Sequence, residues 1–509
     1  MFRVTSIVLC FFSAVFLSDT ASGKEEAVWA EYSSKNFILF SDADPALARE
    51  TIIKLEKYRF VLGQITGLDL ENDNAPPLKL YAFRTTDSFQ HAIRTGDGIL
   101  GYYSDNLQSP LAALSLEPRE DFWEHDGLET IFHEYNHYIL RRYSRMDYPQ
   151  WYSEGFAEYT STVEFDGEVA IVGKPAVPRF MVLRRAPSWK KLKDLMHVKS
   201  RVGGRWDPPI WSVQTYAQGW LLTHFLHHSE KYSGVLPKYL TALNTNGVDE
   251  GEAFVRVFGD RRDALADELK EYWHGQSLPY FAFDFTGKMP GFTFETRELP
   301  AAEADILPLE VRILSKTIEL DRHQKWIRSE LLKALRAEVR PVDMLYCLAL
   351  QAYVNERWER AIGHADAAIE LDPDNVRVLE IKARATRRKA EEDGTLEATM
   401  PEIGRLFGRV VKLDSRYVLG LVGYAKLALT EGQTVTPAVL QAARAARMQA
   451  PRNSATIKLE ADLLEKAGKY GEARDLLEHA IEWSFVKDDY KAYQKQYDRI
   501  LKKEASAAP

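Results

Sequence analysis

The chain has 509 residues, a formal net charge of −8, 45% hydrophobic residues and 28% charged residues. That length suits two to four domains, each large enough to bury its own core. So mild an acidic balance lacks the basic footprint of a nucleic-acid binder, and none is expected as a partner.

The N-terminus reads as a targeting segment. Residues 1–23 run from MFRVTS through the apolar IVLCFFSAVFL (Ile7 to Leu17) to the small, polar SDTASG. This is the order of a secretory signal peptide. The apolar run is shorter than the roughly 20 residues that span a bilayer. No later stretch is long and apolar enough, so no membrane span is expected once the signal is removed. A retained N-terminal anchor is the alternative reading. Removing the signal removes Cys10 and leaves Cys347 without an intramolecular disulfide partner. That suits a bacterial periplasm better than a eukaryotic extracellular space, and the expected location is periplasmic or secreted.

Residues 24–285 mix strand and helix patterns. NFILFSD (Asn36 to Asp42), LKLYAF (Leu78 to Phe83) and PLAALSL (Pro110 to Leu116) read as strands, and Ala46 to Ile65 as a helix. Asp126 and Glu129 have capping-box spacing. Leu128, Ile131, Phe132, Tyr135 and Ile139 then recur at helical spacing, which predicts a helix over Asp126 to Tyr143. Within it stands HEYNH. His133 and His137 are four apart, so both imidazoles project from one face and can reach one ion. Glu134 lies a step around the helix, placed for acid–base work without being a ligand. The bland alternative is a helix with two partly buried histidines.

Downstream comes PQWYSEGFAEYT, Pro149 to Thr160, where Pro149 suits the first turn of a second helix. A zinc site with an open position needs a third protein ligand, and Glu154 on a returning helix can supply it. Glu158, one turn further, is suited to accept the other ring N–H of a ligating histidine.

HEYNH followed by SEGFAEY resembles the gluzincin metallopeptidases, the group of thermolysin and the leukotriene-hydrolase-type aminopeptidases. The resemblance implies Zn2+ held by His133, His137 and Glu154, with Glu134 as general base and Glu158 behind the ligands. The connection from His137 to Glu154 is slightly shorter than in those families. TYAQGW (Thr215 to Trp220) resembles the Tyr-x-Lys-Gly segment of the aminopeptidase branch and implies that Tyr216 stabilises the oxyanion. Gln218 stands where lysine is usual, and a helix-packing tyrosine is the other reading. The Gly-x-Met-Glu-Asn strand of that branch is missing, which points to an endopeptidase. PLAALSLEP is the candidate edge strand for pairing with an extended peptide. His224, His227 and His228 form a rival cluster that reads as a structural face. The basic stretch Arg184 to Arg201 reads as a solvated face that can flank a cleft.

Residues 286–341 open with the Gly- and Pro-containing TGKMPGFTFETRELPAA and read as a linker with leading helices. Residues 342–505 repeat. In Leu345 to Asn375 the positions Ala349, Trp358, Ala361 and Ala368 match Ala461, Tyr470, Ala473 and Ala480 of Ile457 to Trp483. Tyr417 to Asn453 fits less well and Val376 to Leu413 is degenerate. The pattern resembles tetratricopeptide repeats, helix pairs that stack and bind protein segments. The expected fold is an α+β gluzincin-like metallopeptidase domain followed by an all-α tetratricopeptide-repeat solenoid. The expected function is hydrolysis of a peptide or protein substrate, with a protein partner on the repeats. An inactive peptidase-like scaffold acting through its repeats is the alternative.

Overall fold

The structure, a computed structural model, describes residues 28–507 apart from 72–76, 95–98, 105–106, 108–109, 119–125, 145, 198–211, 246–247, 276, 316–323 and 485. The signal-like segment and most of 190–211 therefore lie outside the described residues.

A six-stranded mixed sheet organises the N-terminal half. Its strands are β1 (Ala30–Ser33), β2 (Phe37–Ser41), β3 (Leu78–Phe83), β4 (Gly101–Ser104) and β5 (Leu111–Ser115), together with a strand from Glu295–Glu298. The order is β4-β5-β3-β2-β1 followed by Glu295–Glu298, with β2, β3 and β5 parallel. Between β2 and β3 runs α1 (Pro45–Thr66), and between β3 and β4 runs α2 (Thr86–Ile93). The central strands are apolar on both faces because both are covered. Phe37, Leu39, Leu80, Ala82, Ala112 and Leu114 join a front core with helices of the N-terminal half. Phe40, Tyr81, Phe83, Leu111 and Ala113 point the other way, into a back core.

The front layer continues as α3 (Gly127–Tyr143), α4 (Gln150–Ser161), β6 (Glu164–Asp166), β7 (Val169–Val172), α5 (Val177–Arg185) and α6 (Leu192–Leu195). Then come α7 (Val213–His228), α8 (Val235–Leu243), α9 (Glu250–Phe258), α10 (Arg262–Trp273) and β8 (Phe281–Asp284). β6, β7 and β8 form a small antiparallel sheet, and Glu295–Glu298 is β9.

Two expectations change. PLAALSL is not an edge strand. β5 lies between β3 and β4, and among the described residues β4 is the edge. The sequence hid this because GYYS is short, and its pairing with β5 is fixed only in three dimensions. The stretch 286–341, expected as a linker with leading helices, carries those helices and also a strand of the sheet. β9 pairs antiparallel with β1. After it, α11 (Ala301–Ala304), α12 (Leu307–Leu314) and α13 (Gln324–Arg336) deliver Leu307, Val311, Ile327 and Leu331 to the back core.

The rest is helical. Four antiparallel pairs follow: α14 (Pro341–Val354) with α15 (Trp358–Leu371), α16 (Val376–Glu392) with α17 (Leu396–Leu413), α18 (Val418–Leu427) with α19 (Pro437–Gln449), and α20 (Ser454–Lys466) with α21 (Tyr470–Glu482). α22 (Lys487–Ala507) packs on α21. Each pair stacks on the next, the arrangement of a helical repeat array. The expected small residues sit at the crossings: Ala349, Ala361, Ala368, Ala461 and Ala473 are fully buried. The degenerate stretch folds as a regular pair because large and small residues exchange places. Phe407 of α17 fills the space at Gly423 of α18, where a Cβ would meet the ring at 2.0 Å.

The array docks on the back of the sheet through its first helices, with Leu345 and Leu348 in the back core. A chain of charges runs along the junction. Glu310 of α12 meets Lys79 of β3 at 3.6 Å and Arg340 at 3.0 Å, and Asp343 meets Arg340 at 2.9 Å and Arg377 at 2.6 Å.

Candidate metal centre

α3 begins where the sequence places it. The Asp126 carboxylate accepts the Glu129 N–H at 2.7 Å as N-cap. The helix crosses close to the sheet. A Cβ on Gly127 would lie 2.1 Å from the Ser115 carbonyl oxygen, so only glycine fits at this contact. Its inner face carries Ile131, Phe132, Tyr135 and Ile139 into the front core. Asn136 is fully buried and donates to the Thr160 hydroxyl at 2.9 Å, which also bonds Tyr58. That bond braces α3 against α4.

α4 runs beside α3 and brings Glu154 to the two histidines. His133 Nε2, His137 Nε2 and one Glu154 carboxylate oxygen are mutually 3.2–3.3 Å apart. All three residues are buried. A tetrahedral ion with bonds of about 2.0–2.1 Å separates its ligands by about 3.3 Å. Among the described residues this is the one trio of His, Cys, Asp or Glu whose donor atoms converge in this way.

The outer ring nitrogens explain why the trio suits a cation. His133 Nδ1 faces a Glu158 carboxylate oxygen at 3.3 Å, and His137 Nδ1 faces the Ser153 hydroxyl at 3.2 Å. With both Nδ1 atoms protonated toward those partners, both Nε2 atoms are bare lone pairs. They then face each other and a carboxylate in a buried space. Such an arrangement demands positive charge, either a metal ion or an added proton. The electrostatics agree. Burial opposes a charge on His133, but Glu158, Glu154 and Glu134 outweigh it and hold its pKa above the ordinary imidazole value. Burial likewise opposes the Glu154 charge, yet His137 and His133 hold its carboxyl far below the usual range. The residue types and spacing therefore fit zinc.

Glu158 is fully buried and is held from behind by Arg179 of α5, at 2.7 Å. The same guanidinium sits 5.1 Å from the centre of the Tyr216 ring. Tyr216 is carried by α7, with its ring centre 6.5 Å from that of His133. Burial, with Glu154 next, pushes its hydroxyl well above the ordinary phenol value, so it remains a donor. Glu134, next to His133 on α3, is only partly buried.

Sequence reasoning missed Ser153 and Arg179. Ser153 was legible in principle, since it precedes Glu154 and shares its helix. Arg179 comes from another element and had no local signal. Gln218, which stands where lysine was expected, is buried and braces the chain. Its amide accepts from the Lys190 N–H at 3.0 Å and donates to the Lys190 carbonyl at 3.2 Å. Of the basic stretch, Lys190 donates to Thr215 at 2.7 Å, beside Tyr216.

The rival histidines belong to packing. His224 has both ring nitrogens occupied, one with the Tyr272 hydroxyl at 2.8 Å and the other with the Gly173 carbonyl at 2.9 Å. His228 stacks on Phe281 with ring centres 4.1 Å apart.

No family model matches the sequence, and no curated protein matches it. Among solved structures the chain is similar to a thermophilic TPR protein of Thermus thermophilus, at 13% identity and a TM-score of 0.32, over 39% of this chain and 98% of that one.

Proposed function

We propose that this chain is an exported zinc-dependent endopeptidase of gluzincin type, with a tetratricopeptide-type array that binds protein. The observation that carries the reading is the convergence of His133, His137 and Glu154, with Glu158 and Ser153 fixing the outer ring nitrogens. When bound, zinc supplies Lewis acidity, which acidifies water and polarises a carbonyl. Glu134, beside the ligands and outside the trio, takes the proton of the attacking water and passes it to the leaving amine. Tyr216, held neutral, donates its O–H to the developing oxyanion. β4 packs against α3 and ends the sheet among the described residues, which makes it the candidate strand for pairing with an extended peptide. Stacked helix pairs leave an extended surface of the kind that takes up protein segments.

The test is metal analysis of the purified protein together with digestion of a peptide library, with and without chelator. Stoichiometric zinc and chelator-sensitive internal cleavage are expected. Zinc with no cleavage would instead favour a binding scaffold, and absence of metal would overturn the reading.

A further inference from the structure

The array touches the N-terminal half at a second place, on the side of the front core. The turn between α3 and α4 joins the helix of His133 and His137 to the helix of Glu154. Asp147 lies in this turn. Its carboxylate meets Arg452, between α19 and α20, at 2.8 Å and His479 of α21 at 2.6 Å. Its backbone N–H and carbonyl are both bonded to the Asn244 side chain at the end of α8, at 2.7 and 2.8 Å. One turn earlier, Arg142 of α3 donates to Gln449 of α19 at 2.9 Å. Trp483, just past α21, is buried in the front core. The last two helix pairs therefore hold the turn from outside.

The turn needs such support. α4 starts at Pro149 with no side-chain cap bond. Among the described residues, the side chains gripping the Asp147 carboxylate come from the array. The Asp147 side chain is only 17% exposed, so its charge is stabilised more by these partners than by water. A shift of this turn moves the start of α4, and Glu154 sits in the first turns of that helix. Donor sets lose metal affinity when displaced by as little as about 0.5 Å.

We propose that Arg452, assisted by His479, is a positioning residue for the metal centre: by gripping Asp147 it fixes the α3–α4 turn and so sets Glu154 against His133 and His137. The inference rests on the metal reading above and adds that the array controls the site. A partner that bends the array and pulls α19–α21 from the turn would loosen the donor set.

The experiment uses full-length protein, zinc competition against a chromophoric chelator and the absorption spectrum of the cobalt-substituted form. Arg452→Ala is expected to weaken zinc binding about tenfold or more, the scale seen when outer partners of metal ligands are lost, and to alter the cobalt bands. Asp147→Arg combined with Arg452→Asp is expected to restore both. Arg499→Ala is the control. It removes contacts to Asp462 at 2.9 Å and Glu465 inside the array and leaves the turn alone. It is expected to lower the melting temperature without moving zinc affinity or the spectrum. If Arg452→Ala fails to fold by circular dichroism, the near-isosteric Asp147→Asn carries the same readout. Zinc binding by the wild type with unchanged affinity and spectrum in these variants overturns the proposal. Absence of zinc binding by the wild type is a different result, which removes the metal reading itself and the proposal with it.

Discussion

Gly155 and Gly219 meet backbone to backbone. A Cβ on Gly155 would lie 2.2 Å from the Gly219 carbonyl oxygen, and one on Gly219 would lie 2.4 Å from the Trp151 carbonyl oxygen. This contact draws α7, with Tyr216, against α4, with Glu154. Backbone cannot yield as a flexible side chain can, so a methyl group must push the helices apart. Gly155→Ala is expected to cost about 2 kcal/mol or more in a denaturant titration and to reduce zinc affinity. Full stability in that variant would contradict the packing described.

Glu134 lies outside the trio of donors and is only partly buried. Glu134→Gln is expected to retain stoichiometric zinc and to lose hydrolysis, whereas His137→Ala is expected to lose the metal. Metal content by elemental analysis, paired with turnover of a peptide substrate, distinguishes the two. Turnover by Glu134→Gln would remove Glu134 as the general base.

Ser153 and Glu158 face the outer ring nitrogens of the two histidines. Ser153→Ala leaves His137 Nδ1 without its hydroxyl partner, and Glu158→Gln weakens the acceptor facing His133 Nδ1. Each is expected to weaken zinc by about 10–100-fold in chelator competition, with the fold retained by circular dichroism.

Tyr216 lies beside His133, and its ring rests against Arg179. Tyr216→Phe keeps the ring and removes the O–H. The expected result is a fall in kcat of about 10²–10³ with KM and zinc content little changed. An unchanged kcat would leave Tyr216 a packing residue.

His224 gives the front core a dependence on pH. Burial, with His228 next, depresses its pKa to about 3 from an ordinary 6.5. Between those values the unfolded chain binds a proton that the folded chain refuses. Stability is therefore fully present above the unfolded value and is lost as pH falls toward the folded one. The His224 share of the loss between pH 7 and pH 5 is expected to be about 2 kcal/mol. Urea midpoints at the two pH values measure it, and His224→Gln is expected to reduce the difference without abolishing it, because burial also lowers His227 and His228 to about 4.

The array was legible where residue size recurs, as at Ala349 and Ala461, and was illegible at Val376 to Leu413, where Phe407 and Gly423 share one volume across two helices. A pattern read along the chain cannot see a compensation across it. The sheet shows the same limit: the alternation in LKLYAF marks a strand but does not say that the opposite faces of the sheet enter separate cores.

Local chemistry was written in the sequence alone. The four-residue step from His133 to His137, the Asp126 cap and the placement of Glu154 and Glu158 on one helix follow from helical geometry, which depends only on neighbours in the chain. The tertiary structure decided what depends on distant partners. It set Arg179 behind Glu158 and closed α7 onto α4 through two glycines. Among the described residues it left β4 at the sheet edge, and it put Arg452 on the turn between α3 and α4. Those contacts join residues tens to hundreds of positions apart, and only the packing of whole elements fixes which of them meet.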